Sequence, residues 1–160
     1  MKQTIFVTSK NKDLQALSGH EVIKKQLGQT QVKRLDRFDC YEVELEPLAN
    51  AHQKLKQILT ESYYLANTNK EFYYLNKLPK LPQGLHYHLV AVSPKEPVDY
   101  SNMIGNIKRY FDTSIKKLTH QVLWVIGSDT KQSTDQIEES IIISSSQKKG
   151  LLVNPISHQF

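Results

Sequence analysis

The sequence predicts an α+β domain built on antiparallel strands, and two adjacent stretches carry that prediction. From Cys40 to Leu45 the chain alternates, with Tyr41, Val43 and Leu45 on one face and Cys40, Glu42 and Glu44 on the other, the period of a half-buried strand. From Pro47 the period lengthens. Leu48, Ala51, Leu55, Ile58, Leu59 and Ser62 step by three and four, the stripe of an amphipathic helix, with proline placed where a missing N–H costs nothing.

The other elements follow in order. Thr4 to Thr8 is a first strand rich in β-branched residues, and Ser9 to Asp13 is a polar loop. After Ser18-Gly19 the residues Val22, Ile23 and Leu27 share a helical face that stops at Gly28. Val32 to Asp36 reads as a strand that pairs back on Cys40 to Leu45 as a hairpin, across a short polar break at Arg37, Phe38 and Asp39. Glu71 to Leu75 is an aromatic strand and closes a β-α-β-β-α-β order, the ferredoxin-like arrangement, by about residue 76.

Asn76 to Gly84 carries two prolines and a glycine and is expected to be a connector. Beyond it the organisation restarts. Leu85 to Val92 alternates as a strand, Ser93 to Pro97 is a loop, and Met103, Ile104, Ile107 and Phe111 define a helix that can run on to Leu118. Gln121 to Ile126 reads as a strand buried on both faces, ending at Gly127-Ser128-Asp129, and Ile141 to Ile143 is the last clear strand. No full second helix is expected after it, so the second half reads as a shortened echo of the first. The expected division is one repeat over residues 1–78, a linker over 79–84 and a partial repeat over 85–160. A four-stranded sheet with helices on one side leaves a face that a second repeat's sheet would cover, the two sheets packing together. Phe6, Tyr41, Tyr74, Tyr87 and Trp124 are then expected near that core or its rim.

Composition narrows the function classes. At 160 residues the chain can bury a sizeable core without staples, and its single Cys40 forms no intramolecular disulfide. With no leader-like apolar stretch near Met1 and no long apolar run, it reads as cytoplasmic, without a membrane role. The net charge is +5, yet only Arg34, Arg37 and Arg109 are arginines among 21 basic residues. A lysine surplus scattered in pairs points to a soluble surface before it points to nucleic acid, which is read by arginine forks.

Catalytic signatures are sparse. Cys40 opens a strand beside Asp39, where nothing lowers a thiol pKa, so it is expected to be structural rather than a nucleophile. No glycine-rich phosphate cradle is present, so no ATP site is expected. His86 and His88 share a strand face, and His20, His52, His120 or His158 could add a third zinc ligand, but no ligand spacing accompanies the pair. Tyr63-Tyr64 and Phe72-Tyr73-Tyr74 are candidate stacking platforms for bases, with core or rim packing as the ordinary reading.

The order of several segments carries a resemblance. IFVTSK in the first strand, SGHEV at the first helix, QVKRLDRFDCYEVELE across the hairpin and LANTNKEFYYL at the last strand resemble the small PurS subunit of phosphoribosylformylglycinamidine (FGAM) synthase. They equally resemble the PurS-like N-terminal domain of the fused enzyme, and VLWVIGSD and LLVNPISHQF are similar to segments preceding its catalytic domains. One departure is Leu17-Ser18, where the small subunit usually has Asp-Pro. The resemblance implies a non-catalytic scaffold that bridges the synthetase and glutaminase parts of an ATP- and glutamine-dependent amido-ligase of purine biosynthesis. It also implies two repeats that imitate a small-subunit dimer, no cofactor in this domain, and ATP and Mg only in the synthetase domain. Lys33, Arg34 and Arg37 on the hairpin are the candidate contacts to those partner domains, with solvated loop charges as the ordinary reading. A ferredoxin-like nucleic-acid-binding module and a small metal enzyme built on His86 and His88 are the rival expectations.

Overall fold

The computed structural model describes residues 1–47, 49–113, 115–144, 150–153 and 158–160. Leu48 of the predicted helical stripe and residues 154–157 of the C-terminal motif lie outside them. The elements are β1 (Lys2–Ser9), α1 (Leu14–Lys25), β2 (Val32–Leu45), α2 (Ala51–Glu61), β3 (Glu71–Leu75), β4 (His86–Pro94), α3 (Ser101–Phe111), β5 (Ile115–Ser128), α4 (Thr134–Ile137) and β6 (His158–Gln159). The class is α+β with an antiparallel sheet, and the strands follow the order β3-β1-β2-β5-β4-β6. No helix among the described residues is long and apolar enough to cross a membrane.

The chain forms two compact units that are not contiguous in sequence. One comprises Met1–Asn11, Asp39–Pro79 and Pro97–His120; the other comprises Lys12–Phe38, Lys80–Glu96 and Gln121–Phe160. Each therefore draws residues from both sides of the 79–84 connector.

In the first unit, β1 pairs antiparallel with β2 from Lys2↔Glu44 to Val7↔Asp39 and, on its other edge, with β3 from Ile5↔Leu75 to Ser9↔Glu71. Ile5, Val7, Val43 and Leu45 meet Leu55, Ile58 and Leu59 of α2 in one core, which Ile107 of α3 joins. The α2 stripe is buried as its spacing requires, although the helix opens at Ala51 rather than Pro47. In the second unit, β4 pairs with β5 from His86↔Ser128 to Val92↔Val122. Ile23 of α1, Val32 and Leu35 of β2, Val90 of β4 and Ile126 of β5 are buried together there.

Four sequence expectations are corrected. The hairpin is one 14-residue strand, Val32–Leu45. Arg37, Phe38 and Asp39 do not turn, because Phe38 is buried and the trio lacks the glycine or asparagine a tight turn needs. The first helix starts at Leu14, since the Asp13 carboxylate accepts the Gln15 and Ala16 amides at 2.9 and 3.1 Å and caps it. The third helix stops at Phe111 and does not reach Leu118. Asp112 follows in the left-handed region at φ 46°, and β5 begins at Ile115. Finally, Ile141 to Ile143 is not a strand. Ser133 and Gln136 form a reciprocal capping box that starts α4, and the chain continues as a π-type turn over Glu138–Ile142 that buries Ile141 and Ile142.

The corrected elements reveal a recurrence. The order β-α-β-α-β occurs twice, and the strand order reads alike from either edge, β3-β1-β2 against β6-β4-β5. The two inner strands, β2 and β5, are both 14 residues long. Their burial matches at five places, Val32, Leu35, Cys40, Val43 and Leu45 of β2 against Ile115, Leu118, Leu123, Ile126 and Ser128 of β5, and differs where Phe38 of β2 and Val125 and Gly127 of β5 are buried without a buried counterpart.

Two outcomes follow. Leu55, wholly buried, should cost about 2–5 kcal/mol when cut to alanine. Trp124 is only half-buried against the second core, so its alanine variant should fall below the roughly 3–5 kcal/mol of a fully buried aromatic; urea melts would rank the two. At the start of α3, the Asp99 carboxylate accepts the Ser101 amide at 2.8 Å and its hydroxyl at 3.0 Å. Those two bonds hold its pKa below the usual value. The lowered pKa makes this cap complete above the ordinary aspartate value of about 3.9 and lost as the pH falls through the lower, folded value. Protection of the Ser101 amide, measured against its intrinsic exchange rate at each pH, should therefore fall below about pH 4 in the wild type and stay low at every pH in Asp99→Ala.

Candidate functional site

The three predicted partner contacts all lie on the first half of β2, in the second unit, and each faces an acid. Lys33 Nζ pairs with Asp129 at 3.1 Å and donates to the Thr30 carbonyl at 2.9 Å. Arg34 Nε donates to Asp36 at 2.5 Å, and this bond raises the guanidinium pKa. Arg37 lies 3.8 Å from Asp13, the residue that caps α1. Their positive charge is thus largely matched within the fold. A partner would compete with these carboxylates rather than meet bare cations.

The other predicted residues scatter. Cys40 is buried in mid-strand, 2 % exposed. His86 is exposed and His88 half-buried on β4, and among the described residues no three His, Cys, Asp or Glu side chains gather as metal ligands. Of the aromatic platforms, Tyr64 and Tyr73 pack on the first core, while Phe72 is exposed beneath Lys10 Nζ at 5.3 Å. Tyr87 donates its hydroxyl to the Pro82 carbonyl at 2.8 Å.

A constellation that the sequence reading missed lies in the first unit. Asp39 sits where β2 passes Val7 of β1, and its carboxylate meets His120 Nε2 of β5 at 2.9 Å, both side chains about a quarter exposed. The Tyr41 ring lies 4.7 Å from the His120 ring, tilted by 33°. Asp39 and Tyr41 line a cavity of about 230 Å³ together with Tyr63, Tyr64 and Asn67 from the α2–β3 connection and Glu71 at the start of β3. Glu71 is fixed there by accepting the Asn67 amide at 2.6 Å. Tyr63 holds a left-handed backbone at φ 57°, rare for an aromatic residue, and its hydroxyl accepts from Asn69 at 3.1 Å.

Part of this cavity is legible in the sequence, as the Tyr63-Tyr64 pair. Asp39 and His120 stand 81 positions apart, and only the pairing of strands brings them together. No family model, curated protein or solved structure matches the chain.

Because the Lys33–Asp129 pair is exposed, 48 % and 44 % at the side chains, its coupling in a double-mutant cycle should be at most about 1 kcal/mol and shrink with salt.

Proposed function

We propose that this chain is a PurS-like scaffold domain of FGAM synthase, non-catalytic itself and bridging the synthetase and glutaminase parts of that cytoplasmic enzyme. The observation that carries the reading is the recurrence of β-α-β-α-β with a strand order that is the same from either edge. That recurrence fits the two repeats that imitate a small-subunit dimer in the resemblance drawn from the sequence. On this reading residues 1–78 and 85–160 are two repeats of one design, and the second is more complete than a shortened echo. Each compact unit then borrows a helix across the repeats: α3 belongs to the unit that holds β1, and α1 to the unit that holds β4. Such an exchange is what a fused dimer with swapped elements would leave.

Cys40 fits a structural role, being buried in mid-strand rather than displayed on a strand-to-helix turn. ATP, Mg and the glutamine-hydrolysing cysteine belong, in this reading, to the partner domains. The test supplies those synthetase and glutaminase parts in trans and follows assembly by size-exclusion chromatography. A complex that forms only when this chain is present is the expected result. Failure to associate with either part, together with salt-sensitive binding to single-stranded RNA, would replace the scaffold with the nucleic-acid-binding alternative.

A further inference from the structure

We propose that the outer edge of β4 is a docking site for an extended, apolar segment of a partner protein, which adds to the sheet there as an antiparallel strand. The recurrence carries the inference. Lys2 lies opposite Glu44 of β2 and Tyr87 opposite Gly127 of β5, and Glu44 and Gly127 hold the same position in the two 14-residue strands. In that register Ile5 and Val7 of β1 correspond to Val90 and Val92 of β4, and all four are buried. On β1 the outer edge is filled: β3 runs antiparallel along it, with Leu75 opposite Ile5, Tyr74 opposite Phe6 and Tyr73 opposite Val7. On β4 the corresponding pairing reaches only Ser93 and Pro94, opposite Gln159 and His158. Among the described residues, no strand lies against the outer edge of residues 86–92.

The composition of that edge favours pairing. Natural sheets blunt an open edge with lysine, proline or inward charge. Residues 86–92 read HYHLVAV, without lysine, proline or a carboxylate, and Leu89 is 53 % exposed. The edge strand β3, by contrast, has only five residues, and the Glu71 N–H is already given to the Asn67 carbonyl at 2.7 Å. The β1 ladder also shows which backbone groups point outward. The Asn76 N–H donates to the Thr4 carbonyl and the Lys10 N–H to the Lys70 carbonyl, each at 2.8 Å, so alternate residues from Thr4 face β3. Their counterparts on β4 are Leu89, Ala91 and Ser93. The occupant's chemistry follows. Its residues opposite Val90 and Val92 take the places that Leu75 and Tyr73 hold against the first core, so they are apolar or aromatic at alternate positions. Main-chain bonds then supply affinity and the alternate side chains selectivity. The site uses the recurrence of strands but not the assignment to FGAM synthase, so the two readings fail separately.

The test titrates the whole chain with a capped peptide of its own residues 71–76, a free copy of the strand that fills the corresponding edge, and follows amide exchange by NMR. At saturation the Leu89 and Ala91 amides are expected to slow by about tenfold or more, while Val90 and Val92, which face β5, are unchanged. N-methylation of the peptide at the Tyr74 position blocks the N–H that meets the Ala91 carbonyl and should abolish binding; at the Tyr73 position, where the N–H points away, it should not. Ala91→Pro removes an outward N–H at an edge position where proline is tolerated, so the fold is kept and binding falls about tenfold or more. A peptide with serine at the Tyr73 and Leu75 positions should bind more weakly. No slowing at Leu89 and Ala91 in millimolar peptide, equal binding by the two methylated peptides or by the serine peptide, or undiminished binding to Ala91→Pro overturns the proposal. Slowing that grows with protein concentration in the absence of peptide assigns the edge to a second copy of the chain and overturns it as well.

Discussion

Two long strands constrain everything else. β2 gives Val32–Phe38 to one compact unit and Asp39–Leu45 to the other, and β5 divides between the same units at His120 and Gln121. A strand has a side-chain period of two, so a slip of one residue along β2 would turn Val32 and Leu35 of one unit, and Val43 and Leu45 of the other, to the opposite face together. Val32 and Leu35 are locked by one core, Val43 and Leu45 by the other, and neither end can shift without unburying residues at the far end. The register of both units therefore rests on the same two stretches of backbone.

That arrangement explains what could and could not be read from the sequence. The α2 stripe was legible because Leu55, Ile58 and Leu59 obey a local period, and β3 was legible because Glu71 to Leu75 is a compact aromatic run. The continuity of β2 was not. Its buried positions step by three at Val32, Leu35 and Phe38 and by two at Phe38 and Cys40, so no single period describes a strand that serves two cores. The polar residues at its middle looked like a break, yet Asp39 is occupied by His120, which only the fold supplies. Two helix starts carry signals of another kind: Asp13 and the Ser133–Gln136 box are capping signals written in the sequence, and an isoleucine run at Ile141–Ile143 outweighs the second of them. Lys33, Arg34 and Arg37 lie together on the first half of β2, but their acids are spread from Asp13 to Asp129 and cannot be matched to them by spacing.

The distribution of charge separates two kinds of surface. On the first half of β2 the cations are each offset by a carboxylate, which favours a solvated or weakly adhesive face over a phosphate-reading one. At the Asp39–His120 pair the balance reverses, with carboxylates and rings enclosing a hollow in an otherwise basic chain. Strands place Asp39, Tyr41 and Glu71, while the α2–β3 connection supplies Tyr63, Tyr64 and Asn67.

β2 and β5 each run unbroken from the residues of one unit into those of the other, and native-state hydrogen exchange tests the consequence of that continuity most directly. The amides of Phe38 and Cys40, and of Gln121 and Leu123, lie where the strands pass from one unit to the other. They should exchange only through global unfolding, with the same denaturant dependence as Val43 in one core and Ile126 in the other. Exchange in two separate steps, one per unit, with those junction amides opening before either core, would contradict the account.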